Sequence, residues 1–133
     1  MPGGFGTLTE LNNKVLLDWL RERAPRAEIV LSVCSGSALL AKAGLLDGKR
    51  ATSNKRYFQI ASDQGPNVNW VRKARWVDDG DRVTSSGVSA GIDMSLHVIE
   101  RLFGTNIAER IADGTEYQWH RDADNDPFAR PEE

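Results

Sequence analysis

The chain's single cysteine stands where an apolar run ends and a helical pattern begins. Ile29-Val30-Leu31-Ser32-Val33 reads as a strand, Cys34 closes it, and Ser35-Gly36-Ser37-Ala38-Leu39-Leu40-Ala41 turns at once into a helix. A side chain on so sharp a strand-to-helix turn is held out at the carboxyl end of a sheet, as in a nucleophile elbow. The residues two before and two after it must be small, and here they are Ser32 and Gly36. The helix aims backbone N–H groups and the positive end of its dipole at the sulfur, which favours the nucleophilic thiolate. The competing reading is an inert thiol, because free cysteines are among the most buried residues. Ser35-Gly36-Ser37 in place of further apolar residues favours the reactive one.

The other residues capable of chemistry read as structural. His97 lies four residues after Asp93 and four before Arg101, on what the spacing makes a solvated helix face. His120 follows Trp119 in a polar tail, with no evident partner. Asp93 falls in the first turn of its helix, where the dipole favours a carboxylate. The run Arg121-Asp122-Ala123-Asp124-Asn125-Asp126 lacks the glycine and terminal glutamate of a calcium loop, and reads as solvated tail. With one Cys and two His, neither an internal disulfide nor a zinc site of the usual kind is available. No metal and no cofactor is expected.

A length of 133 residues suits one domain with a core that needs no cross-link. The net charge of −2 and the scattered Lys and Arg argue against a nucleic-acid partner. The sequence has no apolar run of about 18 residues and no signal-peptide pattern, so no membrane partner and a cytoplasmic location are expected.

The elements that must hold Cys34 alternate between helix and strand. Leu11, Val15, Leu16, Trp19 and Leu20 recur at helical spacing, with Thr7 or Thr9 as candidate cap and Pro25 at the end. Ser37 to Ala43 is a short helix closed by Gly44, and 45–52 a turn with a brief strand. Asn54 to Ser62 reads as a helix and 63–67 as a loop. Ala74 to Val77 and Arg82 to Ser85 flank Asp78-Asp79-Gly80-Asp81, a hairpin signal. Ser89 is placed to cap a helix with Ile92, Leu96, Ile99 and Phe103 on one face, and Gly104 to Asp113 reads as a last helix. From His120 the tail reads as polar and loosely held.

Several motifs in order carry a resemblance. Ser32-Val33-Cys34-Ser35-Gly36-Ser37, then 40–52 (Leu-Ala-Lys-Ala-Gly-Leu-Leu-Asp-Gly-Lys-Arg-Ala-Thr), then Ser86-Gly87-Val88-Ser89-Ala90-Gly91-Ile92-Asp93 closely resemble the DJ-1/PfpI superfamily of glutamine amidotransferase-like proteins, nearest its isonitrile hydratase-like branch. The opening Pro2-Gly3-Gly4-Phe5-Gly6-Thr7 resembles its glycine loop. The resemblance implies an α/β, flavodoxin-like three-layer sandwich over residues 1–128, with 129–133 as tail, a cysteine nucleophile and a homodimer. Family members carry further residues upstream that hold the first strands and an Asp or Glu bonded to the cysteine. The expectation is therefore an N-terminally truncated domain, with those strands missing or supplied by another chain.

The same resemblance assigns roles. Cys34 is the catalytic nucleophile, the backbone N–H groups of Gly4 and Ser35 stabilise charge on the adduct, and Gly3, Phe5 and Asn54 contact substrate. Phe5 and Trp70 are candidate pocket walls. Many relatives have His where this chain has Asn54, and an Asn orients a substrate or water without titrating. A Cys–His dyad is thus disfavoured, and hydration of an isonitrile or similar small electrophile by a hydro-lyase is favoured. Two alternatives are a glyoxalase- or deglycase-like enzyme acting on 2-oxoaldehydes, and a non-catalytic cysteine sensor or degenerate fragment.

Overall fold

Two parallel pairings and one hairpin organise the chain, for which a computed structural model describes residues 1–131. Of the expected tail, residues 132 and 133 lie outside the described residues. Strand β1 (Val30–Val33) runs parallel to β5 (Arg82–Ser85), with Val30 opposite Arg82 and Val33 opposite Ser85. β5 turns back antiparallel on β4 (Trp76–Asp78) through the predicted hairpin, where Gly80 adopts φ +80°. The order is β1-β5-β4. A separate parallel pair joins β2 (Arg50–Ala51) to β3 (Asn69–Trp70), a strand too short to show any alternation in the sequence.

Alternation along β1 divides the core between two faces. Val30 packs into a cluster with Leu20, Leu39, Leu40 and Leu46, while Ile29, Leu31 and Val33 face Trp76, Val83, Met94 and Val98. Helix α3 (Gly36–Lys42) covers the first face, with α1 (Thr7–Glu10), α2 (Lys14–Arg23) and α4 (Phe58–Gln64) packed on it. Helix α5 (Val88–Phe103) covers the second, with α6 (Thr105–Gly114) against it. This is the expected helix–sheet–helix sandwich. Fully burying a side chain such as Leu40 contributes about 2 kcal/mol. Gly91 sets the approach of α5, because a Cβ there would stand 2.6 Å from Val33 Cγ1.

Several local expectations need correction. The single first helix is two: the chain turns after Glu10, and Asn13, not Thr7 or Thr9, caps α2 by accepting from the Leu16 N–H at 3.1 Å. Leu17 joins Leu11 and Leu20 in the core, whereas Val15 and Trp19 are exposed. Pro25 does follow the helix, inside a 3-10 turn over Ala24–Arg26. Helix α4 starts at Phe58, not Asn54, and takes in Asp63 and Gln64. Trp70 is no pocket wall; it meets Phe58 edge-on and its Nε1–H donates to Gly65 O at 2.9 Å. Helix α5 is capped by Gly87, with no side-chain bond from Ser89. Its buried face carries Met94 and Val98, while Ile92 and Phe103 are exposed.

The largest correction concerns the tail, which is anchored at several points although most of its residues are exposed. Asp93 is fully buried, forms an ion pair with Arg75, and accepts from Tyr117 OH at 2.8 Å and from the His120 N–H at 2.9 Å. Burial and the neighbouring Asp93 push the Tyr117 phenol up to about 12. Further on, the Arg75 N–H donates to Ala123 O at 2.7 Å, and Asp126 is buried against Lys55 at 3.4 Å. Nor is His97 solvated: its Nε2 meets Asp78 Oδ2 at 2.7 Å, and Arg101 reaches the same carboxylate at 3.1 Å. Burial raises the Asp78 carboxyl, but the His97 bond, the Gly80 N–H and the Arg101 charge outweigh it and hold the carboxyl below its ordinary value. The result locks α5 to the β4–β5 hairpin.

Candidate functional site

Cys34 sits in the left-handed region at φ +59°, a conformation that costs a non-glycine residue roughly 1–2 kcal/mol and persists only when its surroundings fix it. They do so through both backbone groups. The Cys34 N–H is shared between Ser85 O and Ser86 O, each at 3.1 Å, and its carbonyl accepts from Ser53 Oγ at 3.0 Å and Ser37 Oγ at 3.3 Å. The two small neighbours are required. Ser32 is fully buried, and a Cβ on Gly36 would stand 2.4 Å from Met1 O.

The thiol itself is partly exposed and free. Among the described residues its side-chain hydrogen-bond partner is Asn54, whose Nδ2 lies 3.2 Å from Sγ. The amide's orientation is fixed, since Asn54 Oδ1 accepts the Tyr57 N–H at 3.1 Å and Nδ2 is left to face the sulfur. This bond also explains why α4 is delayed to Phe58. Asn54 belongs to a loop held against the elbow.

The glycine loop lies directly over the start of α3. A Cβ on Gly3 would stand 2.6 Å from Ser35 Oγ, and Gly4 adopts φ +136°. The Gly4 N–H donates to Ser35 Oγ at 3.1 Å, and that hydroxyl pairs with Thr7 Oγ1 at 2.9 Å. The Gly4 amide is therefore committed to holding the loop. Among the described residues no hydrogen bond engages the Ser35 N–H, and Gly3 packs close to it, where a Cβ would stand 2.7 Å from the nitrogen.

Above the sulfur is a cavity of about 310 Å³, walled mainly by apolar groups of Phe5, Leu8, Tyr57, Ile60 and Val88, with Cys34, Ser35, Gly4 and Asn54 at its base. The structure thus brings Cys34, Ser35, Gly4, Phe5 and Asn54 together and leaves Gly3 behind the loop as a close-packing position. Phe5 is 93% exposed, so it forms the rim. Leu8, Tyr57, Ile60 and Val88 were not legible as wall residues. Each is an ordinary apolar residue locally, and only the fold gathers them. His97 and His120 do not line the cavity. Among the described residues no cluster of His, Cys, Asp or Glu is arranged to hold a metal ion, and no helix is long and apolar enough to cross a membrane.

Comparison with known proteins agrees with this geometry. The DJ-1/PfpI family model matches residues 1–101. The chain is 38% identical over 118 residues to isonitrile hydratase of Pseudomonas putida, covering 88% of the chain and 50% of that protein. It is 33% identical over 98 residues to the HTH-type transcriptional regulator CdhR of Pseudomonas aeruginosa, covering 74% of the chain and 29% of that protein. Among solved structures, a ThiJ/PfpI family protein from Pseudomonas syringae superposes with a TM-score of 0.73 at 34% identity, over 89% of this chain and 48% of that one. The chain spans about half the length of the isonitrile hydratase it matches.

Proposed function

The chain belongs to the DJ-1/PfpI family, and from that premise we propose that it is a cysteine-dependent hydratase acting on an isonitrile or a comparable small electrophile. The observation that carries this reading is the strained elbow, which holds a free Cys34 Sγ at the base of an apolar cavity with one neutral donor, Asn54, beside it. Similarity to isonitrile hydratase supports the substrate class.

In this reading the Cys34 thiolate adds to the terminal carbon of R–N≡C, and that carbon takes up a proton to give a thioimidate, R–N=CH–S–Cys34. Water then adds to the same carbon while the nitrogen gains a proton. The C–S bond breaks to release the formamide, R–NH–CHO, and the thiol. In this reading the Ser35 N–H, without an acceptor among the described residues, supplies a hydrogen bond to charge developing on the adduct, with Asn54 donating to the sulfur whenever it is anionic. Among the described residues Asn54 is the side chain bonded to Sγ, and in this reading water in the cavity moves the proton. A dyad of the glutaminase kind, or a His or Glu beside the sulfur as the 2-oxoaldehyde reading requires, finds no support.

A small-molecule partner, a homodimer and a cytoplasmic location belong to the same reading, and sedimentation tests the dimer. The decisive experiment is turnover of an aliphatic isonitrile followed by chromatographic detection of the formamide, with Cys34→Ala alongside. Formamide produced equally by both proteins would overturn the covalent mechanism.

A further inference from the structure

A second, larger cavity of about 680 Å³ opens beside the first and shares Asn54 and Val88 with it. Four cationic residues line it, Lys55, Arg56, Arg75 and Arg130, and among the described residues no carboxylate does. Two of these charges are answered elsewhere, Lys55 by Asp126 and Arg75 by Asp93. Arg75, 8% exposed, still leaves its Nε without an acceptor. Arg56 and Arg130 are exposed and engage no carboxylate among the described residues. Arg56 lies over the Tyr57 ring at 5.6 Å, which places it on the wall the two cavities adjoin.

The α5 N-terminus closes the opposite side. Gly87, Val88 and Ser89 line the groove, the helix runs 16 residues and no side chain caps it; the Ala90 N–H donates to Gly87 O at 2.8 Å, which leaves the Val88 and Ser89 N–H groups and the positive end of the dipole beside this space. The distance to the chemistry is short. A Cβ on Gly87 would stand 3.2 Å from Asn54 Nδ2, which itself bonds Cys34 Sγ.

We propose that this groove binds an anionic group, a carboxylate or a phosphate, carried by the electrophile whose reacting carbon sits at Cys34. The substrate is then an amphiphile: its apolar body fills the smaller cavity and its anionic end meets Arg56, Arg130 and the α5 amides. A field of one sign in a cleft with low-dielectric walls raises the local concentration of such a molecule. The proposal rests on the reading of Cys34 as the nucleophile.

The test compares alkylation of Cys34 by N-bromoacetyl-β-alanine and by its uncharged methylamide, each rate divided by that for 2-mercaptoethanol. At low salt the anionic reagent should be favoured about tenfold, and the preference should shrink at high salt. In the Arg56→Ala/Arg130→Ala double variant it should fall to about twofold or less, the part the α5 amides supply. Parity in the wild type, or a preference undiminished in the double variant, overturns the groove assignment while leaving the nucleophile intact. Failure of Cys34 to react with either reagent overturns the nucleophile reading instead. In that event the groove is tested on Cys34→Ser with unreactive N-acetyl-β-alanine and, separately, methyl phosphate. Saturable shifts of the Val88 and Ser89 amide resonances that disappear in the double variant support it, and their absence overturns it; the tighter of the two ligands identifies the anion.

Discussion

The Cys34 elbow and the Asp93 cluster are both polar sites at the edge of an apolar core, and they differ in what is left over. Asp93 is fully buried and has its oxygens filled by Arg75, Tyr117 and the His120 N–H. At the elbow the backbone of Cys34 is fully engaged, while its sulfur has one neutral donor and an open cavity in front of it. A saturated buried group stabilises. A strained group with spare valence and a pocket can react.

The largest effect expected from this contrast is at Cys34. Cys34→Ala should lower turnover by at least about a thousandfold, since the hydroxyls nearby, Ser35, Ser37 and Ser53, are each held in other hydrogen bonds and are far weaker nucleophiles than a thiolate. Cys34→Gly should be equally inactive yet more stable by about 1 kcal/mol, because glycine relieves the left-handed strain. Urea titration checks this, and a less stable glycine variant would remove the claim that the elbow stores strain. At the other site the balance reverses. Asp93→Ala leaves Arg75 buried without its counter-charge and should cost about 3–5 kcal/mol in the same titration. The folded fraction should still alkylate at the wild-type rate. Loss of reactivity without loss of stability would erase the distinction between the two regions.

The elbow was legible because its evidence is local. An apolar run, a cysteine and three small residues must sit within a few positions of each other for the turn to exist, and the β4–β5 hairpin was legible for the same reason. The Asp93 cluster was not. Its partners lie 18, 24 and 27 residues away, and Asp93, expected in a first turn, stands in the second because α5 begins at Val88; nothing in its neighbours along the helix marks it as buried. The tail misled likewise, since its polar composition hides the single buried Asp126 that matches Lys55. Asn54 shows an intermediate case: its place opposite a family histidine marked the position, but the bond to Sγ depends on a loop that helical periodicity had absorbed into α4.

Lys55 joins the two regions, for it follows Asn54 in sequence and grips Asp126 of the tail. Burial pushes its ammonium down to about 8, against the pull of Asp126 in the other direction. An unfolded lysine titrates near about 10.4. Between these values the unfolded chain holds the extra proton, so stability should rise as pH increases through this window, by on the order of 2 kcal/mol. Below about pH 8 both states are charged and the native state carries the full cost of burial. Lys55→Met should lack this slope. A wild type that instead weakens from pH 8 to 10 would show that the ion pair, not burial, governs this contact.

Asn54 sharpens the comparison most finely, because it bears on the sulfur without being able to take its proton. A hydrogen bond to an anion is worth more than a neutral one, on the order of 1.4 kcal/mol or about tenfold in rate at this partly exposed position. Asn54→Ala should therefore slow alkylation of Cys34 by about tenfold while leaving stability within about 0.5 kcal/mol of wild type. Asn54→Asp retains an acceptor for the Tyr57 N–H but removes the donor and adds a like charge, so it should be slower still. An alanine variant that reacts as fast as wild type would mean that the contact at 3.2 Å does not stabilise the thiolate. One as inactive as Cys34→Ala would mean that proton handling passes through this side chain, by way of a water it holds.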